Sequence, residues 1–167
     1  TTQAKDDKVE FVHGAIGFNY RLSNIQSALG CAQLENLDGY LVAKRRIGAT
    51  YGHAFSAVPG LTPMREAPWA RSAFWMFTVL VDAAQYGMNS RALLRLLEAH
   101  GIQTRPLWQP LHCSPAHQGA PATDCSVAER LQRKALSLPS SVGLSAADQA
   151  RVIEQVMTAR AGVRSRM

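Results

Sequence analysis

No stretch of this 167-residue chain approaches the ~20 consecutive apolar residues that a bilayer-spanning helix needs, and its first residues lack the apolar core of a secretory signal. The expectation is a cytoplasmic protein with no membrane partner. Cysteine is scarce and odd in number. Cys31, Cys113 and Cys125 stand at spacings that match neither a zinc site nor a paired disulfide framework, which argues for free thiols in a reducing compartment. Cys31, inside a helical pattern, reads as a small core residue. His13, His53, His100 and His117 have no partner at ligand spacing, so the sequence offers no metal site. There is no glycine-rich phosphate loop, Ser140-Ser141 lacks the setting of a nucleophile elbow, and no internal repeat or low-complexity tract occurs. Lysine is rare. Lys5 and Lys8 sit among acids, Lys44 opens a basic triplet on what reads as an exposed helix face, and Lys134 lies near the end of a short helix. None of the four presents itself as a catalytic group.

What is abundant is arginine. Basic residues number 18 against 12 acidic ones, for a net charge of +6. Most of that positive charge is carried by planar guanidinium forks suited to phosphate or carboxylate. A nucleic-acid partner would call for one long basic run, whereas these arginines are dispersed over several predicted elements, which argues against that partner. A 47% hydrophobic fraction with 18% charged residues is that of a soluble globular domain, and the length suffices for one ordinary core.

Residues 1–16 pass from a charged segment into Val9-Glu10-Phe11-Val12-His13, which has the length of a strand or an extended arm. Ser23 with Gln26 three residues on reads as a capping box, and Leu22 is placed to staple onto the first turns, so a helix starts at Ser23. Ile25, Leu29, Ala32, Leu37, Tyr40, Leu41, Ile47 and Tyr51 then keep roughly helical spacing. This predicts one long helix to about Phe55, bent near Gly39 or Gly48. At ~1.5 Å per residue it would be about 50 Å long, a length that bridges domains or subunits. Pro59-Gly60 ends it, and Leu61 to Arg71 reads as a loop. Phe74 to Val81 is an apolar run of strand length, with Trp69 and Trp75 as packing residues at its margin. Asn89 or Ser90 caps a helix closed by Gly101, and Ile102 to Arg105 is a short strand stopped by Pro106. Leu107 to Asp124 is mostly loop. Ser126 with Glu129 forms a second capping box for a helix to about Ala135, Leu136 to Leu138 is a short strand, and Ser145 with Asp148 starts the last helix. The order gives an α+β fold in which a long N-terminal helix precedes a small sheet covered by helices.

Two turns carry candidate chemistry. Asn19-Tyr20-Arg21 puts an amide, a phenol and a guanidinium just ahead of a helix start, where proteins hold anions; an Asn19 that only tolerates a tight turn, with a solvated Arg21, would serve the same turn. Arg105-Pro106-Leu107-Trp108-Gln109-Pro110-Leu111-His112 is a loop stiffened by two prolines. Arg105 and His112 are possible donors to a diphosphate, and Trp108 is either a flat surface for a base or sugar or a core residue.

Taken in order, Asn-Tyr-Arg, Ser23-Asn24, Gln33-Leu34-Glu35, Lys44-Arg45-Arg46, the Arg105 to His112 run and Leu138-Pro139-Ser140-Ser141 resemble the DegT/StrS family of pyridoxal-phosphate-dependent nucleotide-sugar aminotransferases. The resemblance covers nearly the whole chain but only the C-terminal part of the family's pattern. It implies the small C-terminal domain of a fold-type-I aminotransferase, built on an antiparallel sheet. Residues 1–57 would be a lead-in arm and connecting helix and 58–167 the small domain, with no counterpart of the N-terminal domain that holds the Schiff-base lysine. It implies that Asn19 reaches across a dimer to the phosphate of the partner's pyridoxal phosphate, with Tyr20 and Arg21 lining the cleft. It also implies that His112, with Arg105 and Trp108 near it, meets the nucleotide sugar. On this reading the chain alone is inactive. The full-length homodimer, paired through the long helix, would aminate C4 of a 4-keto-6-deoxy nucleotide sugar for surface glycans. One branch of the family carries histidine in place of the lysine and dehydrates the sugar instead. Outside catalysis, the alternative is a self-associating interaction module, because an apolar stripe over residues 25–55 favours pairing.

Overall fold

The computed structural model of the chain describes residues 20–117 and 119–164. The expected arm at Val9 to His13, Asn19, Lys5 and Lys8 lie outside these residues. The chain divides into two compact units, Thr1–Asp38 and Gly39–Met167.

In the first unit, α1 (Asn24–Glu35) starts where the capping box put it. The Gln26 backbone N–H donates to Ser23 Oγ at 3.3 Å, and the Ser23 N–H donates to Gln26 Oε1 at 2.8 Å. Two orphan donors of the first turn are thereby satisfied. Leu22 does not staple, since it remains exposed, as do Ile25, Leu29 and Leu34 along the helix. Cys31 is exposed as well, not a core residue. The single long helix is also corrected. α1 stops at Asn36, whose side-chain amide donates to the Ala32 carbonyl at 2.8 Å, and a new helix, α2 (Leu37–Phe55), follows. A short amide that competes for the carbonyl of the preceding turn interrupts the ladder, which hydrophobic spacing does not register.

The second unit is built on α2 and a four-stranded antiparallel sheet in the order β1-β2-β4-β3, from β1 (Leu61–Pro63), β2 (Phe77–Val81), β3 (Arg105–Pro106) and β4 (Ala135–Leu138). Ile47, Tyr51 and Phe55 recur every four residues on α2 and are fully buried, so the downstream half of the predicted stripe is core. They meet Phe77, Val79 and Val81, the alternate residues of β2, together with Leu136 and Leu138 of β4. Two hydrogen bonds seat α2: Tyr51 Oη donates to the Pro139 carbonyl at 2.9 Å, and Gln149 Nε2 donates to the Ile47 carbonyl at 2.9 Å. The same face is completed by Leu93 and Leu97 of α4 (Ser90–Ala99) and by Val152 and Val156 of α6 (Ala146–Arg164).

The caps at Asn89 and Ser145 hold, with Asn89 Oδ1 accepting from the Ala92 N–H at 2.9 Å and Ser145 Oγ from the Asp148 N–H at 3.0 Å. The box at Ser126 does not. α5 (Ser126–Lys134) has Cys125 at its cap, and the Ser126 N–H and hydroxyl both turn back to the Asp124 carboxylate, a charged and therefore stronger acceptor than anything ahead. Two elements escaped the sequence pattern. β1 is three residues at a sheet edge, where Pro63 is tolerated, and α3 (Ala83–Tyr86) is one turn capped by Asp82.

Gly60 joins α2 to the sheet at φ +84°, and a Cβ there would lie 2.3 Å from the Tyr86 backbone nitrogen. Gly60→Ala meets both left-handed strain and a backbone clash, so urea denaturation should show a loss of roughly 2 kcal/mol or more. At Gly52, within α2, a Cβ would meet nothing within 4 Å, so Gly52→Ala should gain up to about 1 kcal/mol of helix propensity.

Candidate functional site

The face of the sheet opposite the core is partly open. Thr62, Thr78, Leu80, Ala135 and Ser137 form the floor of a concavity of about 500 Å³, and its walls include Met64, Met76, Leu107 and Leu131. The floor carries the hydroxyls of Thr62, Thr78 and Ser137, of which Thr78 Oγ1 and Ser137 Oγ form a cross-strand pair 3.0 Å apart in register. Trp75 and Trp108 stand at its rim as a stacked pair, with ring centroids 6.0 Å apart and planes 12° from parallel. Trp75 is 70% exposed and Trp108 65%, so neither is core. The packing role expected for Trp69 and Trp75 is therefore corrected, Trp69 being 88% exposed. No sequence spacing could couple Trp75 to Trp108, because the pairing depends on how the loop before β2 is held.

That loop is held by α2. Arg45 makes a forked contact to Glu66, at 2.7 Å to Oε2 and 3.1 Å to Oε1, and donates to the Ser72 carbonyl at 2.7 Å; the Ser72 N–H closes the ring by donating to Glu66. Phe74 has φ +46°, a left-handed conformation that costs a non-glycine residue about 1–2 kcal/mol. It is kept there because its ring lies flat on Gly48, where a Cβ would come within 2.8 Å of it, and beneath the Arg45 guanidinium, 5.8 Å from the ring centroid. Lys44 Nζ donates to the carbonyls of Trp75 and Ser140. Lys44 is thus half-buried rather than set on an exposed face, and burial pushes its pKa down. Its role is to fix the backbone that carries Trp75.

The three downstream candidates fall in three hollows. Trp108 belongs to the concavity just described, Arg105 to a smaller one of about 350 Å³ with Thr104 and Glu98, and His112 to one of about 580 Å³ with His117 and Cys125. Arg105 is exposed on β3, while His112 sits on a 3₁₀ turn, Leu111–Cys113. His112 Nε2 lies 3.1 Å from Glu129 Oε1, and Arg133 lies 3.3 Å from Glu129 Oε2. These two partners hold the Glu129 carboxyl below its ordinary range. Glu129, read from sequence as a cap, is therefore the residue that orients His112. In the other unit, Tyr20 and Arg21 are exposed ahead of α1; Asn19 lies outside the described residues.

Residues 2–157 match the sequence model of the DegT/DnrJ/EryC1/StrS aminotransferase family. A GDP-perosamine synthase of Caulobacter vibrioides is 34% identical over 152 residues, which is 90% of this chain and 41% of that protein. A putative pyridoxal phosphate-dependent aminotransferase, EpsN of Bacillus subtilis, is 34% identical over 160 residues, 93% of this chain and 40% of that one. The crystal structure of the aminotransferase TlmJ from Streptoalloteichus hindustanus superposes with a TM-score of 0.82 at 27% identity, over 93% of this chain and 41% of its own. The chain thus spans about two fifths of the length of the relatives it matches.

The Arg45 fork and the Ser72 N–H hold Glu66 at about 2, against an ordinary 4.5. A depressed carboxyl contributes stability above the unfolded value and loses it as pH falls through the folded one. Thermal unfolding should therefore show an acid-side loss between pH 4.5 and about 2, and Glu66→Gln should flatten that slope while lowering the melting temperature at neutral pH.

Proposed function

The chain belongs to the DegT/DnrJ/EryC1/StrS aminotransferase family, and from that premise we propose that it is the nucleotide-sugar-facing, C-terminal part of an enzyme that transfers an amino group to a 4-keto-6-deoxy nucleotide sugar. One observation carries the reading: an exposed, stacked Trp75–Trp108 pair stands over a largely apolar hollow whose floor carries hydroxyls, and Trp108 lies on the same stiff loop as His112. A base or sugar ring has flat faces that stack on indole and edge groups that hydrogen-bond to hydroxyls, and each stacked base is worth about 1–3 kcal/mol. The Caulobacter relative, named for a GDP-linked product, supports the same substrate class.

The family is pyridoxal-phosphate-dependent, but the described lysines do not fit a Schiff base. Lys44 is committed to two carbonyls and Lys134 to Asp82 at 2.9 Å. Lys5 and Lys8 lie outside the described residues, and it is the family pattern that leads us to assign the lysine that would hold the cofactor, and hence the amino-transfer chemistry, to protein outside these 167 residues. In the division proposed, 58–167 is the small domain and 1–57 the arm and connecting segment, with Asn19, Tyr20 and Arg21 facing a partner's cofactor phosphate. The apolar residues left exposed on α1, Ile25, Leu29 and Leu34, favour self-association through that helix.

A nucleoside diphosphate-sugar titrated into the chain should quench tryptophan emission saturably. Trp108→Ala should weaken the affinity roughly tenfold, in line with one lost stacking contact, and Trp69→Phe should leave it unchanged. A response that survives in Trp108→Ala and vanishes in Trp69→Phe would remove the assignment. In sedimentation velocity the chain should run as a dimer or larger, and Leu29→Asp should shift it toward monomer; a wild-type monomer at high concentration would count against the pairing.

A further inference from the structure

We propose that His112, Cys113 and Glu129 form a binding site for a thiophilic divalent cation of the zinc class. A ring nitrogen of His112, Cys113 Sγ and a Glu129 carboxylate oxygen all lie within 4.8 Å of one another. Zinc bonds of about 2.0–2.3 Å in a tetrahedral shell place their donors about 3.3–3.8 Å apart, so a contraction of at most about 1.5 Å closes the triangle. His112 Nε2 and Glu129 Oε1 are already 3.1 Å apart.

The donor set selects the metal. One imidazole nitrogen, one thiolate sulfur and one carboxylate oxygen suit zinc and its neighbours, whereas magnesium and calcium take oxygen shells. The ligands are also placed before any ion arrives. His112 and Cys113 are consecutive on the 3₁₀ turn, whose last residue is fixed by the Cys113 N–H to the Pro110 carbonyl at 2.9 Å and by Gln109 Nε2 to the Cys113 carbonyl at 3.0 Å. Glu129 stands on α5, and Arg133 holds its Oε2, leaving Oε1 directed at His112. Such an outer partner for a ligating carboxylate is typical of metal sites.

Among the described residues three protein donors converge, and Cys113 is exposed, so the fourth position opens to water. This is the arrangement of an exchangeable site rather than a closed structural one. Binding forms a sulfur–metal bond and breaks the Cys113 S–H bond, releasing that proton to the buffer, and the ring proton by which His112 holds Glu129 gives way to the metal, moving to the other ring nitrogen or to the buffer. It also occupies a ring nitrogen of His112. If His112 contacts a nucleotide sugar, as proposed above, that contact and the metal exclude each other; the metal site itself does not depend on that reading.

The probe is cobalt(II), added to the reduced 167-residue chain and then displaced by zinc. One equivalent should give tetrahedral d–d bands together with a thiolate-to-cobalt charge-transfer band, both lost on adding zinc. Cys113→Ser should abolish the charge-transfer band, and Glu129→Gln should weaken cobalt binding at least tenfold. Cys31→Ser and Cys125→Ser should leave both unchanged. Circular dichroism checks that each variant is folded, and the exposed position of Cys113 keeps its variant informative if Glu129→Gln does not fold. A charge-transfer band that persists in Cys113→Ser, its loss in Cys125→Ser, or a wild-type spectrum that stays octahedral throughout the titration would overturn the site.

Discussion

One helix sets the position of everything on the open side of the sheet. α2 buries Ile47, Tyr51 and Phe55 in the core, and on the adjoining face Lys44, Arg45 and Gly48 grip the segment from Glu66 to Trp75. The two jobs are linked by helical periodicity, because residues one turn apart share a face and neighbouring rows turn to neighbouring faces. A shift of α2 against the sheet would therefore move the loop, and with it Trp75. The left-handed Phe74 belongs to the same device. Its unfavourable backbone is offset by the close ring contact that only a glycine at position 48 permits and by the guanidinium above it.

The abundance of arginine, suggestive of an anionic partner, has a structural use over much of the second unit. Arg45 closes the loop before β2, Arg91 donates to the carbonyls of Gln132 and Ala135 at the end of α5, Arg133 holds Glu129, and Arg151 donates to the His100 carbonyl at the end of α4. A guanidinium can satisfy several acceptors at once, which makes it an efficient closure for helix C-termini and loops. The dispersed pattern in the sequence thus has a physical counterpart in dispersed structural contacts.

The readable parts of the sequence were those governed by local rules. The caps at Ser23, Asn89 and Ser145, the αL glycine at 101, and the strand before Val81 each depend on residues a few positions apart. The misses depended on competition or on long-range contact. Asn36 broke a helix that the apolar spacing carried through, and Asp124 took the Ser126 hydrogen bonds that a capping box would have used. In the candidate site, the stiff proline-bounded loop singles out Trp108 and His112 in the sequence, but nothing there points to the residues they meet. Trp75 lies 33 positions before Trp108 and Glu129 lies 17 after His112, and no periodicity spans such distances. Lys44 was misjudged for the same reason, since its two carbonyl partners come from distant turns.

The central claim is that α2, through Lys44, holds Trp75 against Trp108 and so builds the stacking surface. Two stacked indoles couple their transitions, so the direct measurement is the tryptophan exciton couplet in the circular dichroism spectrum of Lys44→Met, with Trp75→Phe as the zero point. The couplet should be largely lost in Lys44→Met while helix content and cooperative unfolding persist. A couplet of wild-type strength in that variant would contradict the claim.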